Sequence, residues 1–422
     1  MLKVAIISDT HLGFAWGEER QEDSFNNLEQ AFDEIIQHEA NVVLLAGDIF
    51  HDRIPRQEIL ARAIETFSKF AARFKSRPFC VKAIKDKQTH EVKQFTSPLI
   101  AIWGTHERRH VGATNPMHIL EKAGLVTLLH AESILLEINS DKIGIHGLSG
   151  IPEPQVRQAL QTWEPEPFED AFNVMMLHQN FKEIMPPVDH SLEFSDLPTG
   201  FDLFVLGHVH NTQIKKHPLH KTPILVVGST VSTQLQKIES EIKKGAYIAE
   251  ISRQSVELKF LPVKTRPFFY EYVHVANQKP AEISMKVRDL IIKYANQNYS
   301  LKPIVRIKID GVLAQNFSPA DLDVASLARE HSDQIILSID KSNLVSEQLE
   351  QQSKLLAELK AKKLSVDQMG LEILQRYLTQ AKQSITAPHS FAAPETKADM
   401  KKLETIFHLL AEDELEKAEE AI

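Results

Sequence analysis

Short apolar runs rich in valine, isoleucine and leucine recur along the first part of the chain, up to about residue 265. Several of them alternate with stretches, such as 26–38 and 57–74, whose apolar residues recur at helical spacing. Strand runs that alternate with amphipathic helices are typical of a layered α/β domain. The pattern therefore predicts an α/β fold, built as a layered sandwich, for residues 1–265.

The pattern changes after residue 265. Residues 268–275 and 304–309 have the composition of strands, and an amphipathic helix is predicted between them, near 283–295. These elements predict a second, smaller α/β domain at 266–342.

The last part of the chain, residues 343–422, has helical patterns and no strand pattern. Helices are predicted at about 347–363 and 365–385, and a linker at 386–396 precedes a last amphipathic helix. Such helices commonly fold back onto their own core, but apolar stripes beside a linker favour the groove of a partner. We therefore predict a C-terminal helical region that binds a partner.

Composition narrows the classes of function. The formal net charge is -9, so any contact with nucleic acid requires local patches of lysine and arginine. The single cysteine, Cys80, excludes a disulfide within the chain and fits a reducing compartment. Neither a secretory leader nor a bilayer-spanning apolar run is recognisable, so we expect a cytoplasmic protein, or a nuclear one in a eukaryote.

Five of the apolar runs end in aspartate or histidine. The residues concerned are Asp9 and His11, Asp48, His106, His178, and His208 with His210. In sheets with helices packed on their faces, ligand sites form beyond the strand ends, where loops converge. A single such residue is more often a helix cap or a loop hydrogen bond, whereas their recurrence at five strand ends indicates one shared site.

These residue types indicate divalent metal ions. Two ions about 3.5 to 4 Å apart can activate a water and stabilise the leaving oxygen of a phosphoester, which requires a bridging carboxylate. Asp48 is the natural bridge, and Asp9 with His11, separated by one residue, can point to the same ion. Imidazole and carboxylate without thiolate suit Mn, Fe or Zn better than an oxygen cage for Ca or Mg.

Five motifs follow one another along the chain: Asp-x-His, Gly-Asp, Gly-Thr-His, a later His, and Gly-His-x-His. This order resembles the calcineurin-type metallophosphoesterase superfamily, in which the third motif is usually Gly-Asn-His. Within it, residues 9–13, 47–51 and 177–180 are similar to the SbcD-type, meiotic-recombination nuclease family of DNA double-strand-break repair. The resemblance implies a metallophosphoesterase sandwich with a DNA-capping α/β domain. It also implies a two-metal phosphodiesterase that acts on DNA as an exonuclease and a single-strand endonuclease.

The resemblance further implies roles for individual residues. One ion would be held by Asp9, His11, Asp48 and His210, and the other by Asp48, His178 and His208. His51 and His106 match histidines that position the phosphate and help to protonate the leaving oxygen. The ions would be Mn²⁺, the chain would form a homodimer, and its partner would be the coiled-coil arm of an SMC-like ATPase of the SbcC type.

The third motif departs from the family pattern. Thr105 stands where the family has an asparagine whose amide oxygen completes the second ion, and Glu107 stands where an aspartate usually follows the histidine. A hydroxyl is a weaker ligand than an amide oxygen. We therefore expect the second ion to be bound more weakly, to be completed by water, or to take Glu107 as a ligand.

Basic residues follow two of the motifs. Arg108 and Arg109 come just after His106 and Glu107, and Lys215 and Lys216 follow the last motif. These cations are placed to contact a DNA backbone, although a structural ion pair or a solvated turn would explain them as well. The histidines outside the motifs are given structural roles; they are His110, His118, His130 and His146.

Two other functions fit parts of the pattern. A DNA-end tethering subunit of the same complex would keep the fold and the partner helices but have weak catalysis because of Thr105. A small-molecule phosphodiesterase would share the metal motifs, but it would have no evident use for the second domain and the helical tail.

Overall fold

The computed structural model describes residues 2–76, 78–85, 88–90, 97–110, 112–186, 189–252, 255–362, 364, 366, 368–373, 397–412 and 414–421. The chain divides into two compact units, Met1–Tyr270 with Tyr299–Pro303 and Glu271–Asn298 with Ile304–Ile422. Within the described residues, we find no helix whose length and apolar character would let it span a bilayer. The division into three domains, at residues 1–265, 266–342 and 343–422, stays a prediction.

The first unit consists of two sheets with helices on their outer faces. Its strands are β1 (Leu2–Ile7), β2 (Val42–Ala46), β3 (Phe79–Lys85), β4 (Gln88–His90), β5 (Leu99–Ile102), β6 (Thr127–Leu128), β7 (Glu132–Ile138), β8 (Asp141–Leu148), β9 (Phe172–His178), β10 (Leu203–Gly207), β11 (Gln213–Lys216), β12 (Pro223–Val226), β13 (Gly245–Ser252) and β14 (Ser255–Pro262). Its helices are α1 (Asp23–Gln37), α2 (Gln57–Arg73), α3 (Pro116–Lys122), α4 (Glu153–Trp163) and α5 (Lys237–Glu241). The sheet orders are β14-β13-β1-β2-β5-β6 and β11-β12-β10-β9-β8-β7-β3-β4.

The two sheets pack face to face through apolar side chains. Ile6 and Leu44 of the first sheet lie in one buried cluster with Val174 and Val205 of the second. The other face of the first sheet is covered by α1 and α2, whose apolar sides contribute Phe25, Phe32, Phe67 and Phe70 to a second cluster. The predicted α/β sandwich is therefore confirmed.

Strand register determines where the candidate ligands meet. In the first sheet, β1, β2 and β5 are parallel, and Ile7, Leu45 and Ala101 stand side by side near their carboxyl ends. In the second sheet, β9 and β10 are parallel, and His178 pairs with Gly207. The carboxyl ends of parallel neighbours lie at the same edge, so the loops that follow these strands converge.

The remaining elements include a three-stranded sheet of order β15-β16-β17. They are β15 (Phe268–Gln278), α6 (Pro280–Ala295), β16 (Ile304–Leu313), α7 (Val324–Glu330), β17 (Ile336–Val345), α8 (Glu347–Ala361), α9 (Lys397–Ala411) and α10 (Leu415–Glu420). The predicted helix near 283–295 begins earlier, because Pro280 has a suitable fixed φ and needs no N–H donor in the first turn. Residues 368–373 of the predicted helix 365–385 are helical, whereas 374–396, with the predicted linker, lie outside the described residues.

His146, one of the histidines outside the motifs, connects three strands. Its Nδ1 lies 2.8 Å from Ser133 Oγ on β7, and its Nε2 lies 3.1 Å from Asn173 Oδ1 on β9. Because the asparagine oxygen can only accept, Nε2 carries the proton and the serine hydroxyl donates to Nδ1. Burial lowers the pKa of His146 from 6.5 to about 4, so the ring is neutral in the folded chain.

Stability should therefore fall as the pH falls from 6.5 towards 4, because the unfolded chain binds a proton at His146 that the folded chain excludes. Between pH 7 and pH 5, we expect the native chain to lose about 2 kcal/mol more unfolding free energy than His146→Gln. Urea unfolding in the presence of a chelator measures this difference. Equal losses in the two proteins would contradict the assignment.

Candidate metal centre

The candidate ligands lie on loops that turn sharply after their strands. Asp9, His11, Asp48 and His208 have φ values of 50°, 47°, 49° and 86°, in the left-handed region. Such a conformation costs on the order of 1 to 3 kcal/mol for a residue with a side chain and is enriched at functional sites. Backbone hydrogen bonds hold the loops together, since Asp9 N donates to Gly47 O (2.9 Å) and His11 N to Asp48 O (3.1 Å).

Two glycines allow these loops to approach closely. A Cβ atom on Gly104 would lie 2.1 Å from Asp48 Oδ1, and one on Gly207 would lie 2.1 Å from Ala46 O. Any larger residue would therefore push the loops apart. The glycines of the predicted motifs thus have a steric role beside the aspartate and histidines.

Asp9, His11 and His210 form the first group of possible metal ligands. One ligand atom from each lies within 4.8 Å of the others. The Nε2 atoms of His11 and His210 are 3.0 Å apart, and His210 Nε2 is 3.8 Å from Asp9 Oδ1. Two neutral imidazoles whose nitrogen lone pairs face each other require a proton or a cation between them.

Asp48, His178 and His208 form the second group, again with ligand atoms within 4.8 Å of one another. His178 Nε2 lies 3.1 Å from Asp48 Oδ2, and its Nδ1 lies 2.8 Å from Ala46 O. Because a carbonyl can only accept, Nδ1 of His178 donates and Nε2 is the atom turned towards Asp48. The structure groups Asp48 with this second set, and its predicted role as a bridge to the first ion stays a prediction.

These residues fit a divalent cation. Among the described residues, Asp9 Oδ1 is buried and has no hydrogen-bond partner, and His178 Nε2 is buried and faces only the carboxylate of Asp48. Burial, the largest influence, raises the pKa of Asp9, and a cation would offset that effect. Burial lowers the pKa of His178, but the carboxylates of Asp48 and Asp9 outweigh it and raise the pKa to about 10, so metal binding there must release a proton.

The two predicted catalytic histidines lie beside the first group. His51 and His106 form a cluster with His11, and the ring centroids of His11 and His106 are 4.8 Å apart. His106 Nδ1 lies 2.5 Å from the backbone oxygen of His51 and therefore donates to it.

The two residues that depart from the family pattern have different surroundings. Thr105 Oγ1 lies 3.3 Å from Asp48 Oδ2, the oxygen that also faces His178, so the hydroxyl is beside the second group. Glu107 is fully buried, and its carboxylate accepts from the backbone N–H groups of Asp48 (3.2 Å), Phe50 (2.6 Å) and Gly104 (2.7 Å). Both oxygens of Glu107 thus bind backbone and hold the second and third motifs together.

The predicted DNA-contacting residues are at different distances from the strand ends. Arg108 and Arg109 are half-buried and lie two and three residues after His106. Lys215 and Lys216 are exposed on β11. Lys216 pairs with Pro223 of β12, and Val226, three residues further along β12, pairs with Leu206 of β10. At about 3.3 Å per residue, the strand carries Lys216 about 10 Å away from the edge where His208 and His210 lie.

Sequence reasoning missed three residues behind His210. Its Nδ1 lies 3.1 Å from Thr233 Oγ1 and 3.4 Å from Glu239 Oε1, and Lys244 pairs with Glu239 at 3.0 Å. No motif or periodicity singles out these residues. The one available signal is Lys244 directly before the apolar run of β13, a charged residue at the start of a buried strand.

Comparison with known proteins agrees with this geometry. Residues 2–212 match the calcineurin-like phosphoesterase family, a segment that contains both ligand groups. The chain belongs to this family. The family predicted from the motifs is therefore confirmed, and membership identifies the chain as a metal-dependent phosphoesterase.

Relatives of this phosphoesterase include DNA repair proteins. It is 26% identical over 353 residues to the DNA double-strand break repair protein Mre11 of Saccharolobus solfataricus, an alignment that covers 81% of this chain and 84% of that protein. It is 25% identical over 282 residues to the Mre11 protein of Methanopyrus kandleri, covering 62% of this chain and 57% of that protein. Among solved structures, the protein TT1561 of Thermus thermophilus matches with a TM-score of 0.37 and 8% identity, over 61% of this chain and 98% of that one.

Replacing Glu107 with glutamine should destabilise the phosphoesterase unit. Glutamine offers one acceptor oxygen, so its amide nitrogen would face at least one of the backbone N–H groups of Asp48, Phe50 and Gly104. A buried donor without a partner costs about 1 to 3 kcal/mol. We expect a loss of that size in urea unfolding, whereas the control Glu137→Gln, at an exposed position of β7, should unfold like the native chain.

Proposed function

We propose that this phosphoesterase is a nuclease that hydrolyses phosphodiester bonds of DNA in double-strand-break repair. The observation that supports it best is the pair of adjoining ligand groups, in which the buried Asp9 Oδ1 has no hydrogen-bond partner among the described residues. The similarity to relatives named as double-strand break repair proteins supports the choice of DNA as the substrate. We further propose both exonuclease and single-strand endonuclease activity.

We propose two Mn²⁺ ions as the cofactors. Asp9, His11, Asp48 and His210 would hold one ion, and Asp48, His178, His208 and Thr105 the other. Imidazole and carboxylate donors favour Mn²⁺ over Mg²⁺ or Ca²⁺. When bound, the ions would activate water and neutralise charge on the phosphate oxygens.

His106 and His51 act on the leaving group in this proposal. Donation from His106 Nδ1 to His51 O fixes the imidazole and leaves Nε2 to meet the scissile phosphate. Protonated at Nε2, His106 would transfer that proton to the departing oxygen, and His51 would orient the phosphate. Burial, the largest influence, lowers the pKa of His51, which favours its neutral form.

Arg108 and Arg109 are proposed to contact the DNA backbone next to the metal centre. Both side chains are half-buried, and a guanidinium binds phosphate oxygens through charge-assisted, often bidentate, hydrogen bonds. Lys215 and Lys216 would contact the backbone farther along the duplex.

The remaining proposals, homodimer formation and an SMC-like ATPase partner, find support in α8, where Leu349 and Leu356 are exposed seven residues apart on one helical face.

Degradation of labelled linear and single-stranded DNA tests the nuclease. With added Mn²⁺, the native chain should cleave both substrates, His106→Ala should lose activity by a factor of about 100 to 10,000, and Thr105→Asn should need less Mn²⁺ for half-maximal rate. A chromogenic phosphodiester serves as the small-molecule comparison. A strong preference for it over DNA would replace the nuclease by a small-molecule phosphodiesterase.

Two further outcomes separate the nuclease from a tethering subunit. A native chain that is inactive but gains activity in Thr105→Asn would identify the weakly catalytic tethering subunit. Inactivity of all three proteins, with Mn²⁺ bound and the ATPase partner supplied, would overturn the nuclease proposal.

The salt dependence of DNA binding tests the basic residues. The double variant Arg108→Ala/Arg109→Ala should bind linear DNA more weakly and lower the slope of log affinity against log salt by about 1 to 2. Lys215→Ala/Lys216→Ala should lower the slope by a similar amount but leave the cleavage rate of bound DNA unchanged, because these side chains lie far from the metal edge. Unchanged slopes in both variants would exclude the DNA contacts.

A further inference from the structure

The two ring nitrogens of His210 face different neighbours. Its Nε2 faces the first ligand group, at 3.0 Å from His11 Nε2 and 3.8 Å from Asp9 Oδ1. Its Nδ1 faces away from that group, towards Thr233 Oγ1 at 3.1 Å and Glu239 Oε1 at 3.4 Å. A carboxylate therefore lies directly behind the imidazole, on the side opposite the ion position.

The carboxylate of Glu239 is itself held in place. Oε1 accepts from Lys244 Nζ at 3.0 Å, and Oε2 accepts from the backbone N–H of Gln234 at 2.9 Å. Lys244 also donates to Ser229 Oγ (2.8 Å) and to the backbone oxygen of His210 (3.2 Å). These bonds keep the carboxylate from rotating away from the His210 ring.

The pair formed by Glu239 and Lys244 is almost completely buried, with side chains 3% and 1% exposed. Burying two charges costs more than their attraction generally returns, so such a pair is a poor way to stabilise a fold. Other lysines of the chain pair at the surface, for example Lys237 with Glu241, where both side chains are more than half exposed. The location of the buried pair, behind a metal ligand, points to a function in the site.

We propose that Glu239 is a positioning residue for the first ion, and that Lys244 holds Glu239 in that role. The carboxylate accepts the Nδ1 proton of His210, which fixes the tautomer with the Nε2 lone pair directed at the ion position and prevents the ring from turning. A carboxylate that accepts from a ligating histidine commonly strengthens metal binding by a factor of about 10 to 100. The proposal rests on the proposed function, because it takes His210 as a ligand.

Mn²⁺ titration by isothermal calorimetry tests this role separately from catalysis. The full chain is titrated in two backgrounds, His208→Ala, which keeps the first ligand group, and His11→Ala, which keeps the second. Glu239→Gln should weaken Mn²⁺ binding by a factor of about 10 to 100 in the first background and leave it unchanged in the second. The matched control is Glu241→Gln, an exposed carboxylate two residues away, which should change neither.

Glu239→Gln leaves the buried ammonium of Lys244 without its partner and can disturb the fold. The double variant Glu239→Gln/Lys244→Met removes both charges and should fold like the native chain, while showing the same selective loss of Mn²⁺ affinity. Equal affinity with and without Glu239, or an equal loss in both backgrounds, would overturn the positioning role. Absence of Mn²⁺ binding in both backgrounds before Glu239 is changed would instead overturn the proposed metal centre itself.

Discussion

Buried negative charge at one edge of two packed sheets is the constraint on which the rest of this structure depends. The side chains of Asp9 and Asp48 are almost inaccessible to water, and carboxylates in that position are stable only when cations or hydrogen-bond donors surround them. The chain supplies imidazoles from these two loops and from three others, but Asp9 Oδ1 has no hydrogen-bond partner among the described residues. Divalent ions at this edge would balance both the charge and the missing contacts.

Backbone conformation and backbone hydrogen bonds, rather than large side chains, hold the ligand loops together. Left-handed conformations at four ligand residues are unfavourable in isolation, and they persist because rigid parallel strands precede each loop. Gly104 and Gly207 remove the Cβ atoms that would separate the loops, and Glu107 joins three backbone N–H groups from two of them. Burial and the charge of Asp48 raise the pKa of Glu107, and the backbone N–H groups of Phe50 and Gly104 oppose that rise.

The two ligand groups differ in their surroundings. In the second group, His178 and Asp48 are enclosed by backbone and core, and Thr105 supplies a neutral hydroxyl in place of an amide. In the first group, His210 is partly exposed and is held from behind by a buried ion pair. The first group therefore has charged neighbours behind one of its histidines, whereas the second group is enclosed by backbone and core.

Sequence alone determined the α/β class, the run of motifs and most candidate ligands, because strand periodicity is local and Asp48 or His178 directly follows an apolar run. It also predicted the family, which the comparison confirmed. Only the tertiary structure decided that Glu107 binds backbone, that β11 leads Lys216 away from the metal edge, and that Glu239 lies behind His210. These facts depend on strand register and on contacts between residues far apart in the chain, which leave no periodic trace in the sequence.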